Sequence, residues 1–245
     1  MQPFAELPVI VINLDRAPER WGLMKRIWSP LVGELIRFPA VDGRAEPDHV
    51  IAGFTLDAMV TEGQGVDRVS DAYWRRTYGC YQSHLNAIQY AAASGYEQFV
   101  ILEDDARPRF DITPEEDADS IDGVRIWGGA LKGGSYTTHH RAYASMDTLG
   151  TPNTWKRIAT KKDAWYRYQS TAVEYPDSEV AWDWWRAIFN SPQSYDISWW
   201  HAMLKVPTYV PAVEVIYQDL ELGSARRARD FQMLKQEGVP FHPWS

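Results

Sequence analysis

The sequence predicts an α/β fold in which a mostly parallel sheet is flanked by helices. Residues 9–14 (VIVINL) and 99–102 (FVIL) are apolar runs without the polar alternation of a half-exposed strand. Such runs are typical of strands buried on both faces, as in parallel sheets covered by helices. A helical pattern follows the first run and another precedes the second, so the chain opens in the strand–helix–strand order of a doubly wound fold.

The first strand leads into a helix and then a second strand. Pro18 suits the first turn of a helix, and Asp15 is placed to cap it. Pro30 is expected to end this helix, because proline cannot continue it. Residues 35–38 (LIRF) predict the second strand, which ends in the turn signal AVDG at 40–43.

One clear helix lies between that turn and the second apolar run. Residues 44–77 mix polarities and predict loops and short helices, whereas residues 79–93 carry apolar side chains at helical spacing. Gly95 is a good C-cap for this helix. Residues 133–162 predict a long loop, and the remaining predicted elements are strands at 124–127, 169–174 and 213–217 and helices at 176–189 and 224–236.

Composition narrows the class of protein. Apolar residues make up 45% of the 245 residues, which is enough for a substantial core. The net charge of −8 argues against a nucleic-acid binder that depends on a broad basic field. A single cysteine, Cys80, allows no internal disulfide and fits a reducing compartment. We expect Cys80 to be a packing residue and not a nucleophile. No stretch resembles a signal peptide or reaches the roughly 20 apolar residues of a membrane helix, so we expect a cytoplasmic protein.

The second apolar run ends in three consecutive acids, Glu103, Asp104 and Asp105. In parallel sheets ligands bind beyond the carboxyl ends of the strands, which is where these carboxylates are expected. Three neighbouring carboxylates repel one another unless a positive group lies between them. A divalent metal that carries a phosphorylated substrate is the simplest answer, and a solvated acidic loop is the alternative.

Four segments together resemble glycosyltransferase family 25, which includes lipopolysaccharide and collagen galactosyltransferases. They are VINLDRAPERW at 11–21, AVDG at 40–43, GCYQSHLNAIQ at 79–89 and GYEQFVILEDDA at 95–106. Their order and spacing resemble the family over roughly residues 8–108, and the resemblance then fades. It implies one GT-A (Rossmann-like) domain over 1–245, with a nucleotide-sugar donor half at 8–122 and a diverged acceptor half at 123–245.

The resemblance also implies a donor site and a divalent metal, commonly Mn²⁺, with Mg²⁺ as the other choice. Glu103-Asp104-Asp105 resembles the family's Asp-X-Asp motif, in which Asp105 would be the first candidate metal ligand, assisted by Glu103 or Asp104. The donor-binding residues implied are Asn13, Leu14, Arg16, Arg20, Asp42, Gly43, Gly79, Ser83, His84, Asp104 and Gln218.

Several of these residues have a structural alternative. Asn13 is also a turn former, and Arg16 and Arg20 are also typical of an exposed helix face. Gly79, Ser83 and His84 are expected at the start of a helix, where backbone N–H groups favour anions. A lone helical histidine is nevertheless often a packed structural residue.

The second half of the chain is where an acceptor would bind. Asp196 is the candidate that orients the acceptor or acts as general base, and a helix N-cap is its alternative role. Nine of the 12 tryptophans follow residue 120 and serve either as core residues or as a stacking wall for a sugar ring. Trp199, Trp200 and His201 are the acceptor-site candidates.

The sequence thus predicts a metal-dependent hexosyltransferase that uses a UDP-sugar and an acceptor hydroxyl. Three alternatives stay open. One is another metal-dependent phosphoryl or nucleotidyl transferase, although no Gly-Lys phosphate loop follows a strand. Another is a catalytically inactive carbohydrate-binding relative. The last is a glycosyltransferase that modifies DNA bases, for which the basic cluster at 226–229 would be suited.

Overall fold

The computed structural model describes residues 4–62, 71–108, 121–127, 155–158, 172–191, 201–211 and 216–218. Its strands are β1 (Pro8–Asn13), β2 (Glu34–Pro39), β3 (Phe99–Glu103), β4 (Ala106–Pro108), β5 (Val124–Ile126), β6 (Trp155–Arg157), β7 (Ala172–Tyr175), β8 (Thr208–Pro211) and β9 (Ile216–Gln218). Its longer helices are α1 (Pro18–Trp28), α2 (Asp48–Glu62), α3 (Asp71–Ala93) and α4 (Ser178–Phe189).

Seven of these strands form one mixed sheet in the order β2-β1-β3-β7-β5-β8-β6, and β4 pairs with β9 in a separate ribbon. Strand β1 is parallel to both β2 and β3, and β5 is parallel to β8. Strands β7 and β6 are antiparallel to their neighbours. Five of the seven strands therefore run in one direction, and β7 and β6 run against them. This confirms the predicted α/β class with a mostly parallel sheet.

Helices cover both faces of the sheet, which explains the apolar runs. On β1, Ile10 and Ile12 pack with residues of α2, α3 and α4. Val9 and Val11, which point to the opposite face, pack with residues of α1. A strand covered on both faces has no polar side, and the side chains of Phe99–Leu102 in β3 are likewise fully buried.

The first helix begins as predicted but is capped differently. Pro18 is its first residue and Trp28 its last, before Pro30. The N-cap residue is Ala17, which makes no side-chain cap. The prediction that Asp15 caps α1 is therefore wrong, because its carboxylate accepts a hydrogen bond from Arg37 at 2.6 Å.

The region predicted as loops and short helices is mostly helical. Residues 48–62 form α2, and α3 begins at Asp71 rather than near Gly79. Among the α2 residues whose side chains the structure describes, Ile51 and Phe54 are buried and lie three residues apart, and this helical spacing was the overlooked signal. Gly95 ends the turn after α3 with φ +77°, as its predicted role as a C-cap requires.

The later elements are confirmed in part. Strands lie within or beside the predicted 124–127, 169–174 and 213–217, and Asp177 caps α4 by accepting a hydrogen bond from the backbone N–H of Val180 at 2.7 Å. The predicted loop at 133–162 contains β6, and the predicted helix at 224–236 lies outside the described residues. The described helices include none that is both long and apolar enough to cross a membrane.

Tryptophans of α4 serve two environments. Trp184 is fully buried in the core. Trp185 stacks on Phe189 with 4.7 Å between ring centroids, and Phe189 is 53% exposed. The core role predicted for the tryptophans is thus confirmed for Trp184.

Candidate functional site

A cleft of about 490 Å³ opens at the carboxyl ends of β1 and β3, between the start of α1, the turn after β2, and α3. Parallel pairing brings these strand ends to the same edge of the sheet. The cleft is lined by Ile12, Leu14, Arg16, Ala17, Glu19, Arg20, Ala40, Val41, Asp42, Gly43, Arg44, Arg75, Arg76, Gly79, Cys80, Ser83, His84, Glu103, Asp104 and Asp105. All four motif segments therefore contribute to one cavity.

The acidic run lies at the floor of the cleft. Glu103 is the last residue of β3, and Asp104 and Asp105 form the turn that follows. Asp104 and Asp105 are buried, at 9% and 5% exposure, whereas the side chain of Glu103 is 21% exposed. This burial disagrees with the alternative in which the acidic run is a solvated loop.

Asp104 is held by two protein groups. Its Oδ2 accepts a hydrogen bond from the side-chain amide of Asn13 at 2.8 Å, and its Oδ1 forms an ion pair with Arg20 at 2.9 Å. Burial alone would lower the pKa of Arg20, but the charge of Asp104 and the hydrogen bond to it raise that pKa above its ordinary value. Arg20 therefore stays charged in the cleft.

Asn13 fixes the floor from beneath. Its side chain is fully buried, and its amide also donates to the carbonyl of Ala17 at 3.1 Å. Its Oδ1 accepts a hydrogen bond from Arg37 at 2.8 Å. Through these bonds Asn13 ties β1, β2 and the start of α1 to Asp104. Asn13 is not among the residues that line the cleft, and its contact with the nucleotide-sugar donor remains a prediction.

An exposed ion pair also lines the cleft. Arg16 contacts Asp42 at 2.6 Å, with side chains 48% and 29% exposed. Burial raises the pKa of Asp42, but the hydrogen bonds from Arg16 and from the backbone N–H of Arg44, with their charges, outweigh it and hold the pKa below its ordinary value. Asp42 is therefore a carboxylate at neutral pH.

Two glycines let the turn after β2 pack directly on α3. A Cβ on Gly43 would lie 1.8 Å from the carbonyl oxygen of Arg75, and one on Gly79 would lie 2.7 Å from that of Val41. No side chain larger than hydrogen fits there unless the backbone moves. Gly43 and Gly79 are thus needed for close backbone approach, which explains both glycines in the motifs.

The hydroxyl of Ser83 locks the same contact. It accepts a hydrogen bond from the backbone N–H of Val41 at 2.8 Å and donates to the carbonyl of Gly79 at 2.5 Å. The expectation that Gly79, Ser83 and His84 lie at the start of a helix is wrong. Since α3 begins at Asp71, their N–H groups lie within the helix and provide no terminal anion site.

His84 reaches the acidic run from α3. Its Nε2 lies 3.1 Å from Oε1 of Glu103, and its side chain is 1% exposed. Cys80, one helical turn earlier, lines the cleft beside it. Cys80 is predicted to be a packing residue. Its i, i+4 spacing to His84 nevertheless places both side chains on one face of the helix.

The donor atoms on the floor fit a hard divalent cation. Carboxylate oxygens from Glu103 and Asp105 line the cavity, and such oxygens are the ligands that Mg²⁺ and Mn²⁺ prefer. Both oxygens of Asp104 contact protein groups, Asn13 and Arg20, and Glu103 and Asp105 are the metal ligands that the motif implies.

Arginines on the rim were the residues that sequence reasoning missed. Arg44, Arg75 and Arg76 line the cleft together with the predicted Arg16 and Arg20. Arg75 is anchored by an ion pair with Asp71 at 2.7 Å and by another with Asp48. Arg75 and Arg76 belong to the part of α3 that was predicted as a loop, so their orientation towards the motifs could not be predicted.

The acceptor candidates are described only in part. Asp196, Trp199 and Trp200 lie outside the described residues. His201 lies in a helical turn and is not among the residues that line the cleft. Gln218 pairs in β9 with Ala106, the residue that follows Asp105, so its backbone lies near the acidic turn.

Comparison with known proteins agrees with the motifs. The family model described as "Glycosyltransferase family 25 (LPS biosynthesis protein)" matches residues 6–112. A protein from Aedes aegypti, "Glycosyltransferase 25 family member", is 30% identical over 104 residues. That alignment covers 40% of this chain and 16% of the relative. These matches confirm the partial resemblance of the chain, over residues 6–112, to glycosyltransferase family 25.

Proposed function

We propose that this protein is a metal-dependent GT-A glycosyltransferase that transfers a hexose from a UDP-sugar to an acceptor hydroxyl. The observation that carries the proposal is the convergence of all four motif segments on one cleft at the carboxyl ends of β1 and β3. Ligands of α/β sheets bind at this edge. The family resemblance supplies the reaction class, and the residues of the cleft supply the chemistry.

The charges of the cleft support a bound metal. Its described lining holds five arginines and five carboxylates, and one of the arginines, Arg75, is already paired with Asp71 and Asp48 outside the lining. The diphosphate of a UDP-sugar adds two negative charges that the described lining does not balance, so a divalent cation would restore the balance. Glu103 and Asp105 would hold that cation, which when bound stabilises the departing diphosphate as a Lewis acid.

Arginines would hold the phosphates. Arg20 has a side chain that is 22% exposed and is oriented by Asp104, so it can donate to a phosphate oxygen without a large rearrangement. Arg16 is more exposed and would exchange its contact with Asp42 for the ligand. Leu14 and Gly43, which both line the cleft, would contact the nucleoside.

The acceptor side of the proposal rests on Asp196 as general base and on Trp199, Trp200 and His201 as the acceptor wall. An inverting reaction requires a carboxylate within hydrogen-bond reach of the attacking hydroxyl, which is the role proposed for Asp196. Gln218 would line the donor site beside the acidic turn, because its strand pairs with β4.

Donor hydrolysis tests the proposal. UDP-glucose and UDP-galactose are incubated with the protein, with and without Mn²⁺, and released UDP is measured. We expect metal-dependent hydrolysis that Asp105→Asn abolishes. Asp183→Asn is the matched control, since Asp183 is 52% exposed on α4, outside the cleft lining. Equal turnover by Asp105→Asn and the wild type would contradict the metal role.

A further inference from the structure

A thiol, an imidazole and a carboxylate converge on one wall of the cleft. One donor atom from each of Cys80, His84 and Glu103 lies within 4.8 Å of the other two. Cys80 and His84 are neighbours on one face of α3, and Glu103 ends β3. Two rigid elements thus present three metal-ligating side chains to a common point.

We propose that these three side chains form a second divalent-cation site, selective for Zn²⁺ or a similarly thiophilic ion such as Co²⁺. It shares Glu103 with the oxygen-ligand site of Glu103 and Asp105 but differs in its other two ligands, which are sulfur and nitrogen. Thiolate and imidazole ligands favour Zn²⁺ and Co²⁺ over Mn²⁺ and Mg²⁺. The ligand set therefore differs in its choice of metal from the proposed catalytic site.

The separation of the imidazole nitrogen and the carboxylate oxygen is close to that in a tetrahedral zinc centre. Zinc–nitrogen and zinc–oxygen bonds of about 2.0–2.1 Å at a tetrahedral angle separate the two ligand atoms by about 3.4 Å. The observed separation of His84 Nε2 and Glu103 Oε1 is 3.1 Å. The sulfur of Cys80 needs about 3.6 Å to the nitrogen, which side-chain rotation within the 4.8 Å cluster can supply.

The site is also accessible and open. Cys80 is partly exposed and all three residues line the cleft, so an ion can enter from solvent. Three protein ligands leave a fourth tetrahedral position for water or a ligand in the cavity. Cys80 would bind as the thiolate and release its proton to the buffer.

Cobalt spectroscopy gives a direct test, because Cys80 is the single cysteine of the chain. The full chain is stripped of metal with a chelator and titrated with Co²⁺. Binding to the thiolate produces a sulfur-to-cobalt charge-transfer band that nitrogen and oxygen ligands do not give. We expect this band at one equivalent of Co²⁺, its removal by Zn²⁺, and no removal by an equal concentration of Mn²⁺.

Variants assign the ligands. Cys80→Ser should lose the band, and His84→Gln and Glu103→Gln should each weaken Zn²⁺ binding at least tenfold. His49→Gln is the matched control, because His49 is exposed on α2 and lies outside the cleft lining. Thermal unfolding without metal verifies that each variant is folded. If His84→Gln does not fold, the Zn²⁺ affinity of Glu103→Gln is used instead.

Three results would overturn the proposal: no charge-transfer band in the wild type, unchanged Zn²⁺ affinity in both His84→Gln and Glu103→Gln, or displacement of Co²⁺ by Mn²⁺ as readily as by Zn²⁺. None of them depends on turnover. Zinc binding and glycosyl transfer have separate readouts, and because Glu103 belongs to both proposed sites, Cys80→Ser is the variant that distinguishes them.

Discussion

Replacing Asn13 by aspartate tests whether its amide organises the floor of the cleft. The substitution preserves shape but replaces the amide that donates to Asp104 and to Ala17 with an acceptor. Asn13 is fully buried, so the new carboxylate cannot turn to solvent. Its contact with Arg37 is retained, because that contact uses an oxygen in both cases.

The magnitude follows from the distance. Two like charges at the 2.8 Å that separates the Asn13 amide from Asp104 repel by about 6 kcal/mol at an effective dielectric constant of about 20. Arg20 and Arg37 offset part of this repulsion. Breaking a buried charge network of this kind costs about 3–5 kcal/mol, and we expect a loss of that size in the free energy of unfolding at neutral pH.

The pH dependence has a definite sign. Burial and the neighbouring Asp104 raise the folded-state pKa of the introduced carboxyl above its unfolded value of about 3.9. Below the unfolded value this carboxyl is protonated in both states and no repulsion remains. The loss therefore appears as pH rises through the raised folded pKa, and the difference between variant and wild type shrinks towards acid pH.

Chemical denaturation from about pH 4 to neutral pH measures this difference. Asn86→Asp is the control, because its oxygen accepts a hydrogen bond from Gln82 at 2.7 Å and a carboxylate can keep that bond. A loss below about 1 kcal/mol for Asn13→Asp, or a loss independent of pH, would refute the role assigned to the amide.

Four other substitutions test separate parts of the fold. Gly43→Ala should destabilise the protein and weaken UDP binding, because its Cβ would lie 1.8 Å from a backbone oxygen. Gly22→Ala, in open space within α1, should instead stabilise the protein by about 0.5–1 kcal/mol. Thermal unfolding compares the two variants. Glu174→Ala should cost about 3–5 kcal/mol in denaturation experiments, because it leaves Arg125, 3.0 Å away, buried without its carboxylate. Asp42→Asn should remove stability that is present above the unfolded pKa of about 3.9 and is lost as pH falls through the lowered folded pKa. The free energies of unfolding of wild type and variant should therefore become equal at acid pH. A difference that does not change with pH would contradict the lowered pKa of Asp42.

The parallel core was predictable because its strands have no polar face. Residues 9–13 and 99–102 could be assigned without a structure, since short apolar runs of this length are typical of strands covered on both sides. The placement of Glu103 and Asp105 at the sheet edge followed from the same argument. The meeting of distant motifs in one cleft then required only the parallel pairing of β1 with β3.

The remaining features depend on contacts between elements that sequence spacing does not encode. The pairing of Asn13 with Asp104 joins residues 91 positions apart. The need for Gly43 arises from the backbone of Arg75, which belongs to a helix predicted to begin later. The sequence predicts that Cys80 is a packing residue. Its neighbour Glu103 lies on another element, and only the tertiary fold brings the two residues together.

Titration calorimetry with UDP tests the central claim most directly. We expect UDP to bind the wild type in the presence of Mn²⁺ and to bind at least tenfold more weakly without it. Asp105→Asn should abolish the effect of the metal, and Arg20→Gln should weaken binding in both conditions. Binding of UDP that is unaffected by Mn²⁺ and by both substitutions would contradict the assignment of this cleft as a metal–diphosphate site.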